Sequence, residues 1–235
     1  MRNRQIPSIS ETDRRFVDGI LIQDDYDILV FNKPSGLAVQ TRGNRGRNLD
    51  HLLWAFARSN GKRPRLVHRL DSGTSGVLLA AKTKPAAVHL SKQFELQSAR
   101  KRYLAVVKSK SENASGGVVD KPLETLSGRP PRAEVSISGK AARTHWRVLQ
   151  VAGDFQLLEI KPESGRMHQI RAHMASIGAP LYGDLLYGGP QSERLMLHAA
   201  SIEVESLRGD RKVYTAPTGQ DWKIIIKTLG FSVQE

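Results

Sequence analysis

Apolar positions recur along the chain with two different periods. Short apolar runs at residues 20–22 and 28–31, separated by Asp24-Asp25 and ended by Lys33-Pro34-Ser35-Gly36, predict two strands. Runs at 77–81, 103–107, 155–161 and 195–204 read the same way. Helical spacing takes over at Leu49, Leu52, Leu53, Phe56 and Ala57, a face that Asn48 can cap and Gly61 can stop. Thr83 and Pro85 open a second helix running to about Gln97 with Ala87, Leu90 and Phe94 inward. Residues 166–174 predict a third helix, ended by Gly178, and Trp222, Ile225, Ile226 and Leu229 a final one. Segments 133–138 and 142–151 resemble a hairpin joined at Gly139-Lys140, whereas Gly116-Gly117 and 128–131 mark a long irregular connection and 41–47 a loop. Strands and helices mix without regular alternation, which predicts an α+β fold with a mixed, largely antiparallel central sheet flanked by helices. Residues 1–19 are expected to be a polar lead-in and 20–235 one domain.

Charge changes this picture. The net charge of +13 is not spread evenly: between Arg42 and Lys110 there are sixteen Lys or Arg against three acids, and the rest of the chain is neutral. An excess confined to one region fits a polyanionic partner such as nucleic acid better than a uniformly solvated surface. An anionic membrane is the rival, but no basic amphipathic helix with an aromatic face supports it, and no apolar run is long enough to span a bilayer. The first residues lack the apolar core of a targeting segment and the chain has no cysteine, which together fit a cytoplasmic protein without disulfide or thiolate chemistry.

At the centre of the basic region lies the stretch 66–76, in which an apolar run delivers one carboxylate, Asp71, into a loop of Ser72, Gly73, Thr74, Ser75 and Gly76. Small side chains let a ligand backbone approach closely, yet the same residues also make an ordinary turn. Several chemistries are set aside. No phosphate-cradling Gly-rich loop is present, so no nucleotide cofactor is expected. His168 and His173 are five apart, not the four that would place two ligands on one helical face, so no metal is expected. Ser72 and Ser75 lie near His68 without an oxyanion-hole motif. Tyr103, after Arg100-Lys101-Arg102, is either a strand aromatic or a stacking platform for a base. Arg171 would keep Asp71 ionised if the two met.

His68-Arg69-Leu70-Asp71 with Thr74-Ser75-Gly76 resembles the signature of the RluA-type pseudouridine synthases. Three further stretches match in order: residues 32–37, Asn-Lys-Pro-Ser-Gly-Leu; Lys101-x-Tyr103-x-Ala105-x-Val107; and residues 165–171, Gly-Arg-Met-His-Gln-Ile-Arg, followed by Gly183-Asp184. Residues 197–200, Leu-His-Ala-Ala, also fit, so the similarity covers nearly the whole chain. The resemblance implies a catalytic domain over 20–235 that isomerises uridine in RNA without a cofactor, on ribosomal RNA first and transfer RNA as the alternative, acting as a monomer. By it Asp71 is the catalytic carboxylate, Arg171 its partner, Tyr103 the residue stacked on uracil, and Arg69 the side chain that fills the space left by the extruded nucleotide. His68, Thr74, Arg166, Lys101 and Lys33 are expected to contact RNA, and Asp71, Tyr103 and Arg171 to converge in a basic cleft. One departure is visible, Met167, where the family usually has a small hydroxyl residue. A noncatalytic RNA-binding protein is the alternative from another class.

Overall fold

The computed structural model describes residues 7–41, 47–109, 115–128 and 130–232. The chain divides into two compact units, Met1–Ala99 with Glu203–Ala216, and Arg100–Ile202 with Pro217–Glu235. Their elements are mixed helices and strands, and the strand pairs described below are antiparallel, so the fold is α+β as the pattern predicts.

In the first unit, α1 (Glu11–Ile20) occupies the second half of what the composition suggested was a lead-in. Ser10 caps it by accepting the Asp13 N–H, and Glu11 and Asp13 in the first turn suit the positive end of the helix. Its apolar stripe is short, Phe16, Val17 and Ile20, with Val17 alone fully buried, and the polar residues around it dominate the composition. Strands β1 (Leu21–Asp24) and β2 (Ile28–Lys33) pair across the Asp24-Asp25 turn. A short α2 (Leu49–Leu52) follows, capped by the Asn48 side chain, and tightens into a 3-10 turn, Leu53–Phe56; Ala57 is already extended, so the helix ends ahead of Gly61. The predicted 41–47 loop falls largely outside the described residues.

β3 (Arg65–Leu66) and β2 flank β4 (Ser75–Ala81), all seven residues of which are buried. Burial on both faces explains why β4 is a continuous apolar run with no alternation. α3 (Lys84–Glu95) starts on the Thr83 cap with Pro85 in its first turn. β12 (Arg211–Thr215) is a strand the sequence reading did not contain.

In the second unit, β5 (Arg100–Lys108), β10 (Phe155–Pro162), β9 (Arg143–Ala152) and β6 (Gly116–Asp120) pair in that order. The expected hairpin between 133–138 and 142–151 does not form. Instead β8 (Arg132–Val135) pairs with β7 (Leu123–Leu126), and β9 pairs with β6 and β10. The irregular connection predicted for 116–131 thus holds two strands. Apolar alternation had marked β8 and β9 correctly as strands, but alternation does not encode a partner.

Two large cores lie on the opposite faces of these strands. Ala105, Val107, Leu158 and Ile160 pack on Ile170 and Met174 of α4 (Gln169–Ser176). Val106 and Leu157, pointing the other way, pack on Trp222, Ile225 and Ile226 of α5 (Gln220–Thr228). Each such large side chain, fully buried, contributes about 1.5–3 kcal/mol. The remaining strand, β11, is Leu197–Glu205.

Candidate active site

In the first unit, Asp71 lies on the segment between β3 and β4. Buried Val67 and Leu70 anchor this segment from below, leaving Arg69 exposed and Asp71 half-buried. The turn is closed by the Thr74 N–H donating to the Asp71 carbonyl at 3.1 Å. Residues following β2 then clamp it. The Gly36 N–H donates to the Ser72 carbonyl at 2.9 Å, and Ser35 Oγ to the Gly73 carbonyl at 2.8 Å.

Lys33 completes the clamp and corrects its expected role. Its side chain is 0% exposed, and Nζ donates to the carbonyls of Pro34 at 3.0 Å, Leu37 at 2.8 Å and Ser72 at 2.9 Å. An ammonium has three donors, and three carbonyls take them. Lys33 therefore has no surface to offer RNA; it joins the 34–37 turn to the Asp71 loop. Thr74, 2% exposed, is likewise internal. His68 is turned toward β4: Nε2 accepts the Leu79 N–H at 2.9 Å, which puts the ring proton on Nδ1, and the ring stacks on Phe94 at 4.5 Å. Of these first-unit candidates, Arg69 has the exposure that an RNA contact requires.

In the second unit, the motif at 165–171 is not helical from Arg166. His168 adopts a left-handed conformation, φ 51°, and α4 begins at Gln169. Gln169, 4% exposed, sets this turn with all four of its amide valences. Oε1 accepts from Ser164 Oγ at 2.6 Å and the Arg166 N–H at 3.1 Å; Nε2 donates to the Arg143 carbonyl at 2.9 Å and Thr144 Oγ1 at 3.0 Å. The Thr144 hydroxyl then donates to His173 Nδ1 at 2.8 Å, and His173 Nε2–H donates to the Lys121 carbonyl at 2.9 Å. Burial pushes the His173 imidazolium pKa down, consistent with this neutral relay.

Arg171, on the first turn of α4, is held in a bidentate fork by Asp184, with Nε and Nη2 each 2.7 Å from a carboxylate oxygen. Its guanidinium also lies over the Tyr187 ring at 5.0 Å. Asp184 is buried, and its approach depends on Gly183, whose φ is 83° and where a Cβ would fall 1.9 Å from the Arg194 carbonyl oxygen. Lys101 turns its Nζ to the Ser164 carbonyl at 2.9 Å, and burial lowers its pKa to about 8. Arg166 is half-exposed, with Nε 3.3 Å from the Ala141 carbonyl, and Tyr103 is half-buried against the core of β5, β10 and α4.

The expected residues thus fall into two sets: Lys33, His68, Arg69, Asp71 and Thr74 in the first unit, and Lys101, Tyr103, Arg166 and Arg171 in the second. Sequence reasoning had Gly183-Asp184 as a motif without a role; Asp184 is the carboxylate that forks Arg171. It missed Gln169 and Tyr187 as structural partners of the same segment. The paired spacing of an arginine in one motif and an aspartate in the next was the available signal.

The family model described as RNA pseudouridylate synthase matches residues 27–176, a range containing every candidate named above. The chain is 42% identical over 225 residues to ribosomal large subunit pseudouridine synthase D of Nitrosomonas europaea, covering 89% of this chain and 64% of that protein. It is 36% identical over 205 residues to dual-specificity RNA pseudouridine synthase RluA of Escherichia coli, covering 84% of this chain and 92% of that protein. The chain thus spans just under two thirds of the length of the first of these relatives. A solved structure titled human RNA pseudouridylate synthase domain containing 4 shares the fold, with a TM-score of 0.78 at 22% identity over 95% of this chain and 99% of that one. A family model matching well over half the sequence, four motifs in order and relatives at these identities lead to one conclusion: the chain belongs to the RNA pseudouridylate synthase family.

Proposed function

We propose that this chain isomerises uridine to pseudouridine in structured RNA, with Asp71 as its catalytic carboxylate and no cofactor. The observation that carries the reading is the Asp71 loop of a family member, its Ser72 carbonyl held by a buried lysine while Asp71 itself is half-buried. The C1′–N1 bond breaks, the uracil turns in place, a C1′–C5 bond forms, the C5 proton is removed and N1 takes up a proton, so the product is an isomer of the substrate. One carboxylate suffices for this. Glycoside hydrolysis needs a second to manage water, whereas here the detached base stays and water is excluded. Asp71 serves either by attacking C1′ or by removing the C2′ proton, and both routes need it ionised and fixed.

Tyr103 is the proposed stacking platform and proton acceptor near C5, Arg171 the counter-charge to Asp71, and Arg69 the side chain that takes the place of the extruded nucleotide. Extrusion costs a few kcal/mol, which phosphate contacts and stacking offset. The proposed target is large-subunit ribosomal RNA, because the relative bearing that name is 42% identical; the dual-specificity relative, at 36%, makes transfer RNA the second substrate to test.

The test is pseudouridine mapping on both RNAs after incubation with the protein, with Asp71→Asn alongside. Product should vanish in the variant while RNA affinity stays within a few-fold. Product formation by Asp71→Asn at the wild-type rate removes Asp71 from the mechanism, and RNA binding by the wild type without product favours a noncatalytic RNA-binding role.

A further inference from the structure

Besides the backbone bonds of Leu123 to Lys140 at its base, the β7–β8 hairpin is fastened to the rest of its unit by the side chain of Tyr187. Both backbone polar groups of Ala133 on β8 go to its hydroxyl: the Ala133 N–H donates to Oη at 2.8 Å, and Oη donates to the Ala133 carbonyl at 3.0 Å. The hydroxyl has one proton and it is used there, so His168 Nδ1, 3.1 Å away, is the donor in the third contact. Tyr187 and Met167 also pack against the small core of Leu123, Ala133, Ala142 and Ala172.

The other end of the same ring faces Arg171, whose guanidinium lies 5.0 Å from the ring centre. Asp184 and Tyr187 belong to one turn, in which the Tyr187 N–H donates to the Asp184 carbonyl at 3.1 Å. A single turn thus presents Arg171 with a carboxylate on its Nε–Nη2 edge and an aromatic ring 5.0 Å from its guanidinium carbon. The fork fixes two nitrogens, and the ring lies against the guanidinium from a second side.

We infer that Tyr187 is a positioning residue for Arg171, transmitting the docked state of the β7–β8 hairpin to the plane of the guanidinium. When the hairpin is docked, three hydrogen bonds hold the phenol and the phenol holds Arg171. When it undocks, the hydroxyl loses Ala133 and the ring beside the Arg171 guanidinium is released. The catalytic consequence rests on the isomerase reading, whereas the coupling between hairpin and arginine does not.

Tyr187→Phe separates the two contacts, since it keeps the ring and removes the hydroxyl. In the nitrogen-15-labelled full chain, hydrogen exchange at the Ala133 amide and at Arg171 Nε–H should both accelerate about tenfold in this variant. Single-turnover isomerisation of transcribed large-subunit ribosomal RNA should fall about tenfold at unchanged Kd, and Tyr187→Leu, lacking the ring as well, should fall further. A merely structural brace would lower thermal stability without slowing the fully folded enzyme. Wild-type protection at Arg171 Nε–H, once the Ala133 amide has lost its own, overturns the inference. Should the wild type make no pseudouridine, the isomerase reading fails alone and the exchange rates still decide the coupling. Should Tyr187→Phe not fold, the wild type supplies the measurement in sub-denaturing urea: the Ala133 amide and Arg171 Nε–H should open with one common free energy, and an arginine that stays protected after Ala133 has opened overturns the coupling.

Discussion

The Nζ of Lys33 lies 2.9 Å from the carbonyl oxygen of Ser72, the residue that follows Asp71. A side chain buried at the end of β2 therefore sets the path of the backbone that carries the proposed catalytic carboxylate. Local sequence makes Asp71 a turn residue, and the lysine beneath makes that turn a fixed one.

Lys33→Met keeps the length of the side chain but takes the lysine donor from the Pro34 and Leu37 carbonyls and leaves the Ser72 carbonyl with the Gly36 N–H. Each buried unsatisfied acceptor costs about 1–3 kcal/mol and some will relax onto water, so a loss of about 3 kcal/mol in unfolding free energy is expected. Urea denaturation measures it. A loss under about 1 kcal/mol would mean that the clamp is not needed to hold the fold together.

Lys101 makes stability depend on pH in a definite direction. Burial lowers its pKa from 10.5 in the unfolded chain to about 8 in the folded one. Below pH 8 it is charged in both states, and the cost of burying that charge is fully present. Between about pH 8 and 10.5 the unfolded chain holds more protons, so stability from this residue rises with pH. Urea midpoints of the wild type and Lys101→Met, compared at pH 7.5 and pH 10, should show the wild type gaining on the variant at the higher pH. Parallel behaviour of the two proteins would place the Lys101 ammonium in water.

RNA affinity should be strongly salt-dependent because the positive charge is concentrated between residues 42 and 110. Neutralising about six phosphates would cost roughly a thousandfold in affinity between 50 and 200 mM salt. Arg69→Gln, at an exposed position, should lower the slope of log affinity against log salt by about 0.7–0.9. An affinity indifferent to salt would remove the electrostatic argument for an RNA partner.

Much of this architecture is legible in the chain because it is written in local chemistry. Asn48 and Thr83 cap helices where a side-chain oxygen precedes an apolar face, and β4 is apolar throughout because both its faces are covered. Where the reading failed, the determining interaction was distant. α1 buries so little that periodicity could not find it, and β8 chose β7 over β9 on grounds that no single strand contains. The site residues divide the same way. Asp71 and Arg69 were singled out through their motif, but the motifs gave no sign that Lys33, Thr74 and His68 would face inward. A lysine in a basic region looks like a phosphate ligand until three carbonyls are found around it. Arg171 was expected beside Asp71, and its fork with Asp184 came from pairing two motifs 13 residues apart.

Gly139 gives the β7–β8 hairpin two unequal ends. A Cβ there would stand 2.4 Å from the Leu123 carbonyl carbon, at the point where Leu123 and Lys140 exchange backbone hydrogen bonds of 2.9 and 2.8 Å. At the opposite end, Gly128, Pro130 and Arg132 are exposed. The hairpin is in effect a cassette, interchangeable at its tip and keyed at its base. Loop grafts between 127 and 131 can change what the tip reaches while β8 keeps its seat on Tyr187, and any side chain at 139 would unseat it whatever the tip carries.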